Sequence, residues 1–207
     1  MVKKLIRDIL VVGHPRGGTG FASRYLRELG LDVKHEAIGL RGTSNWQFAD
    51  PNSVEIPYTF DGVAPKDVKF KHVFHIYRNP VKTISSVFYT ENLDFKSLSY
   101  RDRKINLSRF TPLEMAVSSY VNWHELIDKN YPKAIKLKVE DFDQIQYHLV
   151  DLGLIKSFKE VEIGNKINSR RHPELTREII LSECTQEYRD RLAYYLDLYD
   201  ISVPDVF

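Results

Sequence analysis

Ile9-Leu10-Val11-Val12-Gly13-His14-Pro15-Arg16-Gly17-Gly18-Thr19-Gly20-Phe21-Ala22 is the stretch on which the fold turns. Four consecutive apolar β-formers ending at a glycine read as a strand buried on both faces, as a parallel sheet requires. Beyond the glycines, apolar residues recur at Ala22, Tyr25, Leu26 and Leu29, the i, i+3, i+4, i+7 stripe of a helix, and Gly30 is placed to end it. Strand, glycine-rich loop and helix in that order predict an α/β fold with a mainly parallel sheet. Successive backbone N–H groups and the positive end of a helix dipole then converge on a phosphate-like anion. The loop is not a nucleoside-triphosphatase loop of the form G-x-x-x-x-G-K-[ST], because Thr19 stands where the lysine is needed.

Moving outward, Leu31 to His35 is a second short strand, and His72 to Tyr77 a third that ends at Arg78-Asn79-Pro80. Asn79 and Pro80 read as N-cap and first residue of a helix that turns Val81, Ile84 and Phe88 inward. Thr111-Pro112-Leu113-Glu114 is a capping box, and the stripe Leu113, Ala116, Val117, Tyr120, His124, Ile127 predicts a long helix that stops before Tyr131-Pro132. Ile135, Leu137 and Val139 alternate with lysines as in a strand with one wet face. Tyr188, Leu192, Tyr195, Leu196 and Tyr199 mark a closing amphipathic helix. Residues 37 to 70 carry glycines and prolines with little periodicity, which predicts a long functional loop or cap within a single domain spanning 1–207.

The 207 residues are 43% hydrophobic and 28% charged, an ordinary globular composition. Lys+Arg 30 against Asp+Glu 28 leaves a net charge of +2, too balanced for a protein that coats nucleic acid, so any anion site is local. The single cysteine, Cys184, closes no intrachain disulfide and builds no zinc cage, which suits a reducing compartment. The amino terminus begins like a signal peptide, but Arg7 and Asp8 interrupt the apolar run and no stretch of about 18 apolar residues follows. A cytoplasmic protein without a membrane or nucleic-acid partner is expected.

His14-Pro15-Arg16-Gly17-Gly18-Thr19-Gly20-Phe21 resembles the 5′-phosphosulfate loop of the sulfotransferases, and Tyr77 to Phe88 resembles their 3′-phosphate motif, an arginine followed eight residues later by a serine. Lys138-Val139-Glu140-Asp141-Phe142 is similar to the family's strand-end segment, and Asn168-Ser169-Arg170 falls where many bacterial members have a late cofactor loop. The resemblance implies a P-loop NTPase-like, three-layer α/β/α fold and transfer of a sulfuryl group from 3′-phosphoadenosine 5′-phosphosulfate (PAPS), leaving adenosine 3′,5′-bisphosphate (PAP), with no metal. It assigns Arg16, Gly17, Gly18, Thr19 and Gly20 to the sulfate end, Arg78 and Ser86 to the 3′-phosphate with Ser85 as the off-by-one rival, and Asn168, Ser169, Arg170 and Arg171 to the late contacts. Gly20 stands in place of the family's second hydroxyl and Phe21 in place of its tryptophan; no G-x-x-G-x-x-K segment is present.

Sulfuryl transfer by in-line displacement needs positioning, charge stabilisation and a base. Arg16 and the loop amides supply the second. Glu36, at the carboxyl end of the second strand where ligand crevices form, is the expected base, and its neighbour His35 the rival. In an extended chain the two point to opposite faces, so one alone faces the donor. His14, His75 and His124 are weaker candidates, the last two on apolar faces. Trp46, Phe48, Tyr58 and Phe60 line an acceptor pocket for a small molecule or glycan or, equally, form a private core. Two other functions stay open: a non-catalytic adenine-nucleotide-binding module, and a P-loop kinase with Glu140 and Asp141 in a Walker B role.

Overall fold

A computed structural model describes residues 4–55, 63–92, 96–163 and 171–200. These fall into two compact units, one within Met1–Ile76 and Leu126–Ser169, the other within Tyr77–Glu125 and Arg170–Phe207.

The first unit holds the sheet. β1 (Leu5–Gly13) is followed by α1 (Thr19–Glu28), β2 (Val33–His35), β3 (Gly42–Ser44), β4 (Val68–Tyr77) and, after the chain returns, β5 (Ile135–Lys138). The five strands run parallel in the order β2-β3-β1-β4-β5. Ile9 to Val12 are fully buried, as their unbroken apolar run predicts. The strand starts earlier than that run because Leu5 to Arg7 pair in register with Val68 to Phe70, and Asp8 accepts from Arg41 and Lys71 at 2.8 Å each. Side chains alternate along β1. Ile9 and Val11 join Phe74, Ile76 and Leu137 under α1 and α5 (Ile145–Asp151), while on the opposite face His75 Nδ1–H donates to the Asp128 carboxylate of α4 (Pro112–Asn130) at 2.9 Å.

The stretch 37 to 70 is not a continuous loop. It contains β3, a 3-10 turn at Trp46–Ala49 and the first residues of β4. β3 reads Gly-Thr-Ser, with no apolar side chain to betray a strand, yet all three residues are buried. A Cβ at Gly42 would sit 1.8 Å from the Ile9 carbonyl oxygen, so only glycine lets β3 approach β1. The Thr43 hydroxyl donates to the Lys34 carbonyl and that of Ser44 to the Thr19 carbonyl, which satisfies both inside the core. Trp46 and Phe48 are buried, and Phe48 packs edge-on to Phe70, so these two aromatics are core. Tyr58 and Phe60 lie outside the described residues.

In the second unit, α2 (Pro80–Thr90) begins as predicted, with the Asn79 side chain accepting from Lys82 N–H. Thr111 and Glu114 form the capping box of α4, and Leu113, Ala116, Val117 and Tyr120 meet Tyr188, Leu192, Tyr195 and Leu196 of α7 (Gln186–Asp200) in one core. His124 is buried there, stacked 4.8 Å from Tyr77. Two helices carry no clear stripe in the sequence: α3 (Lys96–Ile105), rich in charge, and the seven-residue α6 (Arg177–Glu183).

Candidate functional site

In a sheet of this order the chain leaves β1 toward one edge and β4 toward the other. The carboxyl ends of these neighbours, where Gly13 pairs with Ile76, therefore mark the reversal point at which open α/β sheets bind ligands. The loop His14–Gly18 starts there. His14 is buried and shapes it: its carbonyl accepts from Gly17 N–H at 2.7 Å and its Nδ1 from Arg16 N–H at 3.2 Å. His14 is thus a structural residue of the turn.

Gly18 is the N-cap of α1 at φ 95, in the left-handed region, and no side chain caps the helix. A Cβ on Gly18 would meet Val139 at 2.9 Å, so the segment Lys138–Phe142 props the loop from beneath. Phe142 in turn packs edge-on to Tyr25 and Phe21 of α1. The first-turn N–H groups of a helix have no intrahelical partner. With glycine at the cap and no carboxylate in the first turn, the end of α1 is chemically a receptor for an oxyanion.

Thr19, the first residue of α1, places Oγ1 3.2 Å from Nε2 of His35. His35 ends β2, and the backbone then departs from the extended form: Glu36 has φ 53. That turn overrides the alternation expected of a strand. It brings the two side chains to the same side, His35 Nε2 and Glu36 Oε1 lying 3.9 Å apart. The expectation that the two residues face opposite ways is thereby corrected. Trp46 Nε1–H donates to the same Glu36 Oε1 at 2.8 Å, a partner that an aromatic count cannot foresee. Burial pushes the His35 imidazole below its ordinary pKa, opposed by the Glu36 carboxylate, so the ring is neutral at pH 7.

Two features of this corner cost free energy. A non-glycine residue in the left-handed region carries about 1–2 kcal/mol of strain, and Glu36 is such a residue. Flanking Trp46, the fully buried side chains of Asn45 and Gln47 leave Asn45 Nδ2 and both polar atoms of the Gln47 amide without a hydrogen bond among the described residues. Strain and unsatisfied polar groups gather at functional sites, which sets this corner apart without reference to any motif.

In the second unit, Arg78 follows the last residue of β4 and is half-buried, its carbonyl accepting from the Tyr120 hydroxyl at 3.3 Å. Ser85 donates to the Val81 carbonyl at 2.7 Å and accepts from Leu175 N–H at 2.9 Å, so its hydroxyl is committed to joining α2 to the segment before α6. Ser86 is buried on the adjacent position of α2. Asn168, Ser169 and Arg170 lie outside the described residues, and Arg171 is exposed. His75, fully buried, is occupied by Asp128.

Among the described residues, no group of three or more His, Cys, Asp or Glu side chains is arranged to hold a metal ion, and no helix is long and apolar enough to cross a membrane. No family model, no curated protein and no solved structure matches the chain.

Proposed function

We propose that the chain is a sulfotransferase that moves a sulfuryl group from PAPS to a hydroxyl or amine of a small-molecule or glycan acceptor. The observation that carries the proposal is the Thr19–His35–Glu36 contact: His35, hydrogen-bonded to Thr19 at an uncapped, glycine-headed helix N-terminus, brings the Glu36 carboxylate, 3.9 Å from its Nε2, beside that terminus. The loop suits an oxyanion through its backbone amides, since Gly17, Gly18 and Gly20 carry no side chains of their own. PAPS supplies an activated sulfonate whose bond to the phosphate breaks as the acceptor oxygen or nitrogen bonds to sulfur.

The chain's own part is positional and electrostatic. Amides of Gly17, Gly18, Thr19 and Gly20 and the guanidinium of Arg16 hold negative charge at the phosphate oxygen, and these bonds strengthen as that charge grows. Glu36, or His35 beside it, removes the acceptor proton. Arg78 and Ser86 are the pair proposed for the 3′-phosphate, a guanidinium fork and a hydroxyl suited to its oxygens; Asn168, Ser169 and Arg170 are proposed for late contacts. A cytoplasmic location is part of the proposal, since a sequence with one cysteine draws no stability from intrachain disulfides.

A non-catalytic nucleotide-binding module is the second reading, favoured by Gly20, which puts no hydroxyl at the second position of α1. Two measurements separate the possibilities. Thermal stabilisation by PAP in preference to ATP is expected; a ligand at 100 times its dissociation constant adds about 2.7 kcal/mol. Label transferred from PAPS to acceptors in a screen is expected for the enzyme and absent for the module. Stabilisation by ATP alone returns the chain to the kinases.

A further inference from the structure

We infer that Trp46 is a positioning residue for Glu36, its indole N–H holding one carboxylate oxygen so that the other is presented to the acceptor. The inference deepens the sulfotransferase reading and rests on it. A free glutamate on a strand end samples several rotamers, and a base must lie within hydrogen-bond reach of the proton it removes. Here the freedom is removed twice. The left-handed backbone at Glu36 fixes the direction in which the side chain leaves the sheet, and Trp46 Nε1 fixes Oε1 at 2.8 Å. Among the described residues no hydrogen bond is made to Oε2, while the Glu36 side chain retains 24% of its exposure, so a proton donor can reach it.

Trp46 is itself held rigidly. It is buried, and the 3-10 turn that carries it is capped by Asn45, whose side chain accepts from Gln47 N–H at 3.0 Å. Asn45 N–H donates to the Val11 carbonyl, so the indole is anchored to β1, the strand that leads into the anion loop. Base and loop are thus referenced to one strand, the arrangement that keeps a reacting geometry within a few tenths of an ångström. A tryptophan retained only for packing needs no carboxylate at its nitrogen. A general base needs one oxygen tethered and one available.

The test uses the whole chain labelled with nitrogen-15 at its two tryptophans, Trp46 and Trp123, and compares wild type with Glu36→Gln and Trp46→Phe. Expected in Glu36→Gln is a shift of one indole N–H resonance, assigned to Trp46 by its loss in Trp46→Phe, with the Trp123 resonance unmoved. Trp46→Phe is expected to consume sulfur-labelled PAPS at least ~10-fold more slowly, about 1.4 kcal/mol of lost orientation, with PAP affinity unchanged. If neither indole resonance responds to Glu36→Gln, the inference is overturned without any need for Trp46→Phe to fold. Wild-type turnover in Trp46→Phe also overturns it. A failure of PAP to bind wild type, with the indole response intact, overturns the sulfotransferase reading and reduces the Trp46–Glu36 bond to a structural contact.

Discussion

Thr19 Oγ1 and His35 Nε2 stand 3.2 Å apart, which joins the first residue of α1 to the last residue of β2 across 16 positions of sequence. An anion seated on the α1 amides therefore lies next to an imidazole whose pKa burial has lowered. Negative charge at that point favours the imidazolium and raises the pKa back. PAP binding should then take up a proton when the pH lies between the free and bound values. The expected observation is a binding enthalpy that depends on the ionisation enthalpy of the buffer near pH 6, abolished in His35→Gln. Identical enthalpies in all buffers for wild type would place the bound anion away from His35.

The backbone at Glu36 gives a prediction that needs no ligand. Alanine normally stabilises relative to glycine, because glycine loses more conformational freedom on folding. At φ 53 the order should reverse. Glu36→Gly and Glu36→Ala lose the same Trp46 hydrogen bond, so their difference isolates the backbone, and glycine is expected to be the more stable by about 1 kcal/mol. Urea midpoints of the two variants measure it. A more stable alanine variant would mean that the chain is extended at this position.

How much of this corner was legible follows from what each residue shows in one dimension. β1 and α1 announce themselves by period, and the Asn79 and Thr111 caps by residue type, so α2 and α4 start where predicted, while β1 begins four residues ahead of its apolar run. β3 is invisible because Gly42, Thr43 and Ser44 are buried through a close backbone approach and local hydroxyl bonds, not through apolar area. Alternation assigns His35 and Glu36 to opposite faces because it assumes an extended backbone, and a glutamate in the sequence does not announce a left-handed turn. Trp46 was visible as an aromatic in an irregular stretch, but its donor role depends on which carboxylate the fold brings to it.

Acid should weaken the first unit in two steps. His75 is fully buried, and burial lowers its imidazole pKa despite the opposing Asp128. The unfolded chain therefore binds the extra proton more readily, and stability is lost as the pH falls below the unfolded value of ~6.5 toward the folded one. Burial would raise the Asp128 carboxyl, but its bond to His75 and the charge of Lys136 outweigh that and hold it at about 2, so its contribution is lost later, as the pH falls below about 3.8 toward 2. In His75→Gln, urea midpoints measured from pH 7 to pH 5 should fall less steeply than in wild type. An unchanged slope would mean that His75 already titrates normally in the fold.

Cys184 is buried in the second unit, and burial together with the nearby Glu114 pushes its thiol up to about 11. The reactive species is the thiolate, so the folded protein should resist Ellman's reagent at pH 8 and release one equivalent only on unfolding. Rapid reaction under native conditions would show that the α6–α7 region opens readily. A structural thiol of this kind is also expected to tolerate Cys184→Ala with a loss of about 1 kcal/mol, the scale of one small buried group.

Glu91, which ends α2, and Arg101 of α3 form an ion pair in which both side chains are buried. Ser97 adds a 3.3 Å hydroxyl bond to the same carboxylate, yet among the described residues Arg101 Nε and Nη1 have no hydrogen-bond partner. Such a pair binds its members tightly and still repays their desolvation incompletely. Removing one partner strands the other charge, so Arg101→Met should cost about 3–5 kcal/mol. Replacing both, as in Glu91→Leu with Arg101→Met, should recover most of that loss, because two apolar side chains of similar volume carry no stranded charge. The signature is a large favourable coupling energy in the double-mutant cycle, read from urea denaturation. Additive losses would instead mean that water reaches the unpaired guanidinium nitrogens and solvates each charge on its own.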